Sequence, residues 1–130
     1  MDLFERMGRE PGVARLVDAF YDHMAEAPDM APLLALHPDL ERARERLYEF
    51  LVGWMGGPPL FVQKYGHPRL RMRHLHVAID ETGVALWMRC MDHALMTTVP
   101  HEDLRELLHS NFSRLAAHMQ NVFDEASESP

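Results

Sequence analysis

Nine histidines in a chain of 130 residues are the side chains best able to do chemistry. A neutral imidazole can ligate a metal, serve as a general base or do neither, and spacing decides among these. No His-Glu-x-x-His pair is present, Cys90 and His93 form one isolated pair, and His74-x-His76 has no second pair close by. A zinc site made of protein ligands alone therefore lacks the usual spacings. A Ser-His-Asp hydrolase is weaker still, because no Gly-x-Ser-x-Gly elbow occurs. The single cysteine, Cys90, excludes an internal disulfide framework, a four-cysteine zinc site and a Cys-x-x-Cys-His attachment of haem.

His74 differs from the others in its surroundings. It follows Arg69-Leu70-Arg71-Met72-Arg73, the one dense basic cluster in an acidic chain, and lies between segments rich in Met, Leu, Trp and Phe. That combination suits haem, which needs a neutral imidazole on iron, an apolar slot for the macrocycle and cations at the mouth of the slot for two propionates. Arginine fits the last role because its planar fork pairs bidentately with carboxylates. The plainer alternative is a solvated basic face beside a partly exposed histidine, which is what charge runs more often are.

The elements that must position these residues are helical. After Pro11-Gly12, the apolar residues Val13, Leu16, Val17, Phe20, Tyr21 and Met24 follow helical spacing up to Pro28. Residues 30–38 read as a bent connection or single turn, and Asp39 is placed to cap a second helix. Its buried stripe is Leu40, Ala43, Leu47, Phe50, Leu51, Trp54 and Met55, and Gly56-Gly57-Pro58-Pro59 ends it. Residues 60–76 suit a turn with one or two short helical pieces. Asp80 caps a third long helix, with Val84, Trp87, Met88, Met91, Ala94 and Leu95 inside. Pro100 opens a fourth, with Leu104, Leu107, Leu108, Phe112, Leu115, Met119 and Val122 inside. No stretch alternates long enough for a strand, so the fold class is all-α. The globular domain is expected to span residues 1–123, with 124–130 a disordered tail.

Composition narrows the class further. A formal charge of −7 with 47% hydrophobic and 25% charged residues is that of an ordinary soluble domain, long enough to bury a core. No segment approaches the roughly 20 apolar residues of a membrane span. The opening Met1-Asp2-Leu3-Phe4-Glu5-Arg6 lacks the pattern of a signal peptide, so a reducing cytoplasm is expected. The acidic balance argues against nucleic acid as a partner.

The run Gly56-Gly57-Pro58-Pro59-Leu60-Phe61, followed by Tyr65-Gly66-His67-Pro68-Arg69-Leu70-Arg71-Met72-Arg73-His74, closely resembles the signature of the group II truncated haemoglobins. The resemblance extends back through Leu16-Val17-Asp18-Ala19-Phe20-Tyr21 and forward through Ala85-Leu86-Trp87-Met88-Arg89-Cys90-Met91. It implies a two-on-two helical sandwich around haem b, with His74 as the proximal ligand to iron. Tyr21 and Trp87 match the distal tyrosine and tryptophan, and Ala43 and Leu47 match two distal positions of the second helix, here both apolar. Leu36, Phe50, Phe61, Leu70 and Val77 are further candidate contacts to the macrocycle, and Arg71 and Arg73 candidate propionate partners. Three departures stand out: Met7-Gly8-Arg9 replaces an early Gly-Gly, His76-Val77 replaces Pro-Phe, and the aromatic before the second helix gives way to either Leu36 or His37.

The implied function is reversible binding of oxygen and other diatomic gases at five-coordinate iron, with hydrogen bonds from Tyr21, Trp87 and, if it turns inward, His37. The competing class is catalysis, either oxidation of nitric oxide or reduction of peroxide. Sustained turnover would need an external reductase, because the chain has no flavin or nicotinamide motif. A haem-free helical interaction module is a third reading, which an absorption spectrum separates at once. Monomer and homodimer are equally compatible with the acidic surface.

Overall fold

The computed structural model describes residues 1–74 and 77–123, without the side chains of Arg71 and Arg73. His76 and the expected tail 124–130 lie outside the described residues. Every regular element among those described is helical: α1 (Leu3–Arg6), α2 (Arg9–Glu26), α3 (Ala31–Leu34), α4 (Leu40–Trp54), α5 (Leu60–Tyr65), α6 (Leu70–Arg73), α7 (Glu81–Thr98) and α8 (Glu102–Met119), with a 3-10 turn at Pro28–Met30. No helix among them is long and apolar enough to cross a membrane.

The caps are chemical and local. Asp39 Oδ1 accepts from Arg42 N at 3.1 Å, and Asp80 Oδ1 accepts from Gly83 N at 2.7 Å, each satisfying a first-turn amide that has no partner within its own helix. Helix α2 begins three residues before Gly12 rather than after it. Pro11 is tolerated there because first-turn amides have no intrahelical acceptor, so its missing N–H costs nothing. Gly12 is then fixed by crowding: a Cβ on it would lie 1.5 Å from the Met7 carbonyl oxygen, where the turn between α1 and α2 folds back. The Met7-Gly8-Arg9 departure makes that turn with two successive left-handed residues, Gly8 at φ 91° and Arg9 at φ 59°.

One further boundary and one burial expectation need correcting. Pro100 precedes α8 instead of opening it; His101 is the cap residue, and Arg105 Nη1 donates to the Val99 carbonyl at 2.7 Å, holding the chain extended until Glu102. Leu107 and Val122 are not inside. The buried stripe of α8 runs Leu104, Leu108, Phe112 and Ala116, one turn apart, which leaves Leu107 at its margin, and Val122 lies beyond the end of the helix.

Helix α2 lies against α7 and α4, and α7 against α8, so one pair of long helices packs on another. The core between them holds Leu16, Phe20, Met24, Leu51, Met91, Leu95, Leu104, Leu108 and Phe112, all fully buried. Around it runs a band of half-buried apolar residues: Ala43, Leu47, Phe50 and Trp54 from α4, Trp87 and Met88 from α7, and Leu115 from α8.

Candidate functional site

Helix α2 carries Tyr21 into the core, where the ring meets Phe20 edge-on at 4.9 Å and His37 edge-on at 6.0 Å, with the Arg44 guanidinium 5.8 Å from its centroid. Its hydroxyl donates to the Ala43 carbonyl at 3.3 Å, the long end of hydrogen-bonding range. Burial raises the phenol well above its usual pKa, so Tyr21 is a neutral donor with one proton to give.

Of the two residues that could stand before α4, His37 faces Tyr21, while Leu36 lies on the surface. His37 Nδ1 lies 2.9 Å from the Leu33 carbonyl oxygen. A carbonyl can only accept, so Nδ1 carries the hydrogen and Nε2 the lone pair in the neutral ring.

Trp87 enters from α7, tilted on Phe20 at 5.3 Å and near-perpendicular to Phe112 at 5.9 Å; Trp54 of α4 stacks on the same Phe112 at 4.9 Å. These rings form one continuous aromatic cluster running from His37 to Trp54. Ala43 and Leu47 lie one turn apart on α4, both half-buried. Phe61 is buried between Phe50, edge-on at 6.1 Å, and Tyr65 at 4.7 Å, and it packs α5 onto α4.

His74 follows the short helix α6. Its Nδ1 donates to the Leu70 carbonyl at 2.7 Å, which fixes the tautomer whose Nε2 bears the lone pair, the form that ligates a metal. Leu70 and Val77 flank it and are half-buried. No cluster of three or more His, Cys, Asp or Glu among the described residues could hold a metal ion. A single oriented imidazole instead suits a macrocycle that brings four nitrogens of its own, and half-buried apolar side chains of α4 and α7 are the surface such a group covers, so the donor set fits haem.

Several residues that matter here carry no signature. Asn121 Nδ2 donates to the carbonyls of His74 at 3.2 Å and Val77 at 2.8 Å. Arg44 grips Asp18 at 2.6 Å and Asp22 at 3.0 Å, tying α4 to α2 beside the contact of Tyr21 with Ala43. Glu49 is buried, accepting from the Tyr65 hydroxyl at 3.0 Å and paired with Lys64 at 3.3 Å. In sequence each reads as an ordinary helix-surface polar residue. Only the i, i+4 spacing of Asp18 and Asp22 hinted at a shared partner. The Cys90 thiol donates to the Phe20 carbonyl at 3.0 Å, and burial pushes it up to about 12, so it is inert.

Comparison with known proteins gives a consistent picture. The family model for bacterial-like globins matches residues 2–121. The Group 2 truncated hemoglobin YjbI of Bacillus subtilis (strain 168) is 34% identical over 118 residues, covering 91% of this chain and 87% of that protein. A cold-adapted truncated hemoglobin from the Antarctic marine bacterium Pseudoalteromonas haloplanktis TAC125 superposes with a TM-score of 0.91 at 43% identity, covering 94% of this chain and 99% of that one. The group II 2-on-2 hemoglobin of Agrobacterium tumefaciens also gives a TM-score of 0.91, at 37% identity, covering 95% of this chain and 96% of that one.

Proposed function

This chain belongs to the group II truncated haemoglobin family, which binds diatomic ligands through haem, and we propose that here His74 ligates the iron, haem b is the cofactor and oxygen is held reversibly. The observation that carries this reading is the 2.7 Å bond from His74 Nδ1 to the Leu70 carbonyl, since it presents Nε2 as a lone-pair donor on a fixed ring. Haem, when bound, supplies the ferrous centre that takes up the gas. Everything else is done by side chains of this protein.

Leu47, Phe50, Leu70 and Val77 exclude water from the macrocycle, and Arg71 and Arg73 neutralise its propionates at the mouth of the slot. Tyr21 has one proton, so it donates either to the Ala43 carbonyl or to the gas. Giving up a 3.3 Å bond costs little, and the exchange favours an acceptor carrying partial negative charge. Trp87 offers its indole N–H from the opposite helix. His37 keeps its Nδ1–H on the Leu33 carbonyl, so the Nε2 of the neutral ring offers a lone pair and no hydrogen to the gas. The cytoplasm, reducing enough to keep Cys90 a thiol, is the setting we assign.

The test is His74→Ala. The variant should fold, since His74 lies outside the hydrophobic core, but lose stoichiometric haem and the ferrous absorption spectrum. Retention of haem with an unchanged spectrum would assign the iron to another histidine.

A further inference from the structure

His74 follows the four helical residues of α6, and no long helix among the described residues carries it. It is instead laced to the end of α8. Asn121 uses its whole side-chain amide there: Nδ2 gives one hydrogen to the His74 carbonyl at 3.2 Å and the other to the Val77 carbonyl at 2.8 Å, while Oδ1 accepts from Ile79 N at 2.8 Å. The backbone amides of Asn121 and Val122 both donate to the Ile79 carbonyl at 2.9 Å. His74 is thus held at two ends, its ring and amide by the Leu70 carbonyl and its own carbonyl by Asn121 and by Val77 N at 3.0 Å.

We infer that Asn121 is a positioning residue for His74: a clasp 47 residues away in sequence that sets the ring's approach to the iron and resists its withdrawal. The inference rests on His74 being the iron ligand. The chemistry is specific to asparagine. Two donors and one acceptor on a short stem meet two carbonyls and one amide; aspartate keeps the acceptor but loses both donors, and glutamine carries the same groups one methylene too far out. Backbone anchoring of this kind acts on a ligand as outer-sphere bonds do, by fixing orientation.

The experiment compares Asn121→Ala and Asn121→Asp with the parent as full-length haem protein and as cofactor-free chain. In the cofactor-free chain, hydrogen exchange at the Ile79 amide should speed up in Asn121→Ala and stay slow in Asn121→Asp, whose carboxylate still accepts. In the haem protein, both variants should release haem to excess apomyoglobin about five- to 150-fold faster, the range expected from the two donated hydrogen bonds that both lose. Both should also shift or broaden the ferrous iron–histidine stretching band in resonance Raman spectra.

A melting temperature lowered without change in that band or in haem release would reduce Asn121 to a stabiliser of the fold and overturn the proposal. An unchanged Ile79 amide in Asn121→Ala would overturn it too, and this holds even if that variant takes up haem poorly. If the parent lacks the band, or His74→Ala retains it, the assignment of His74 fails and the clasp fails with it. A parent band that depends on His74 but is unmoved in both Asn121 variants defeats the clasp alone.

Discussion

Tyr21 and His74 are held in place by opposite means. Around Tyr21, three long helices converge and aromatic rings lock against each other, so position is set by packing of the buried Tyr21 and Phe20 against the half-buried His37 and Trp87. His74 follows the four-residue helix α6, and hydrogen bonds to Leu70, Val77 and Asn121 strap it in position. Packing is collective and tolerates the loss of one polar group. A hydrogen-bonded strap depends on each bond and can open locally. Under the proposed function, the difference would place rigidity beside the gas and compliance beside the iron ligand.

The comparison breaks most severely at Phe112, which touches both Trp54 and Trp87 from α8. Phe112→Ala should cost about 3–5 kcal/mol of stability, read by chemical denaturation, because it opens a cavity where three helices meet. A loss below about 1 kcal/mol, the scale of an ordinary surface change, would mean the cluster repacks and that packing does not fix Trp87.

Smaller effects sharpen the roles on the packed side. Tyr21→Phe and Trp87→Phe should each raise the oxygen dissociation rate by about fivefold, the equivalent of one net hydrogen bond. Tyr21→Phe should leave stability nearly unchanged, since the bond it loses is long. Stopped-flow displacement of oxygen checks both. Equal rates in parent and variants would remove the distal donors from the reading. On the strap side, Arg73→Ala should speed haem loss only modestly, in line with the 0–1 kcal/mol typical of an exposed ion pair. Salt should erase the difference; a salt-independent gap would point to packing by the arginine stem.

The smallest effect concerns His23, stacked on His93 at 3.7 Å where α2 meets α7. Burial, and then the neighbouring imidazole, hold His23 below its usual pKa. Its folded form therefore binds a proton less readily than its unfolded form, so stability rises with pH through this window and falls as pH drops below the unfolded value of about 6.5. His23→Phe should flatten that slope slightly, as measured by thermal melts between pH 7 and 5. An identical slope would mean the stacked pair adjusts without cost.

Much of this protein is written locally. The helical stripes at Leu16, Phe20 and Met24 or at Leu104, Leu108 and Phe112, the caps at Asp39 and Asp80, and the stop at Gly56-Gly57-Pro58-Pro59 depend on residues within a turn or two of each other, so a 3.6-residue period and capping chemistry suffice to find them. His74 could be singled out because its arginines are adjacent in the chain. A proline fits several first-turn or pre-cap positions, so the first residue of α2 and the place of Pro100 follow instead from Met7 against Gly12 and from Arg105 against Val99.

What tertiary structure alone decided are the contacts between residues far apart in the chain. Whether His37 or Leu36 faces Tyr21 depends on how residues 30–38 turn against α2, and an extended pre-proline residue can point either way. Arg44 reaching Asp18 and Asp22, Glu49 meeting Tyr65, and Asn121 closing on His74 bring together polar groups with no periodic pattern between them. Hydrophobic burial leaves a repeating trace in a sequence because every turn of a helix must supply it. A hydrogen bond across 47 residues leaves none, because one asparagine in the right place is enough.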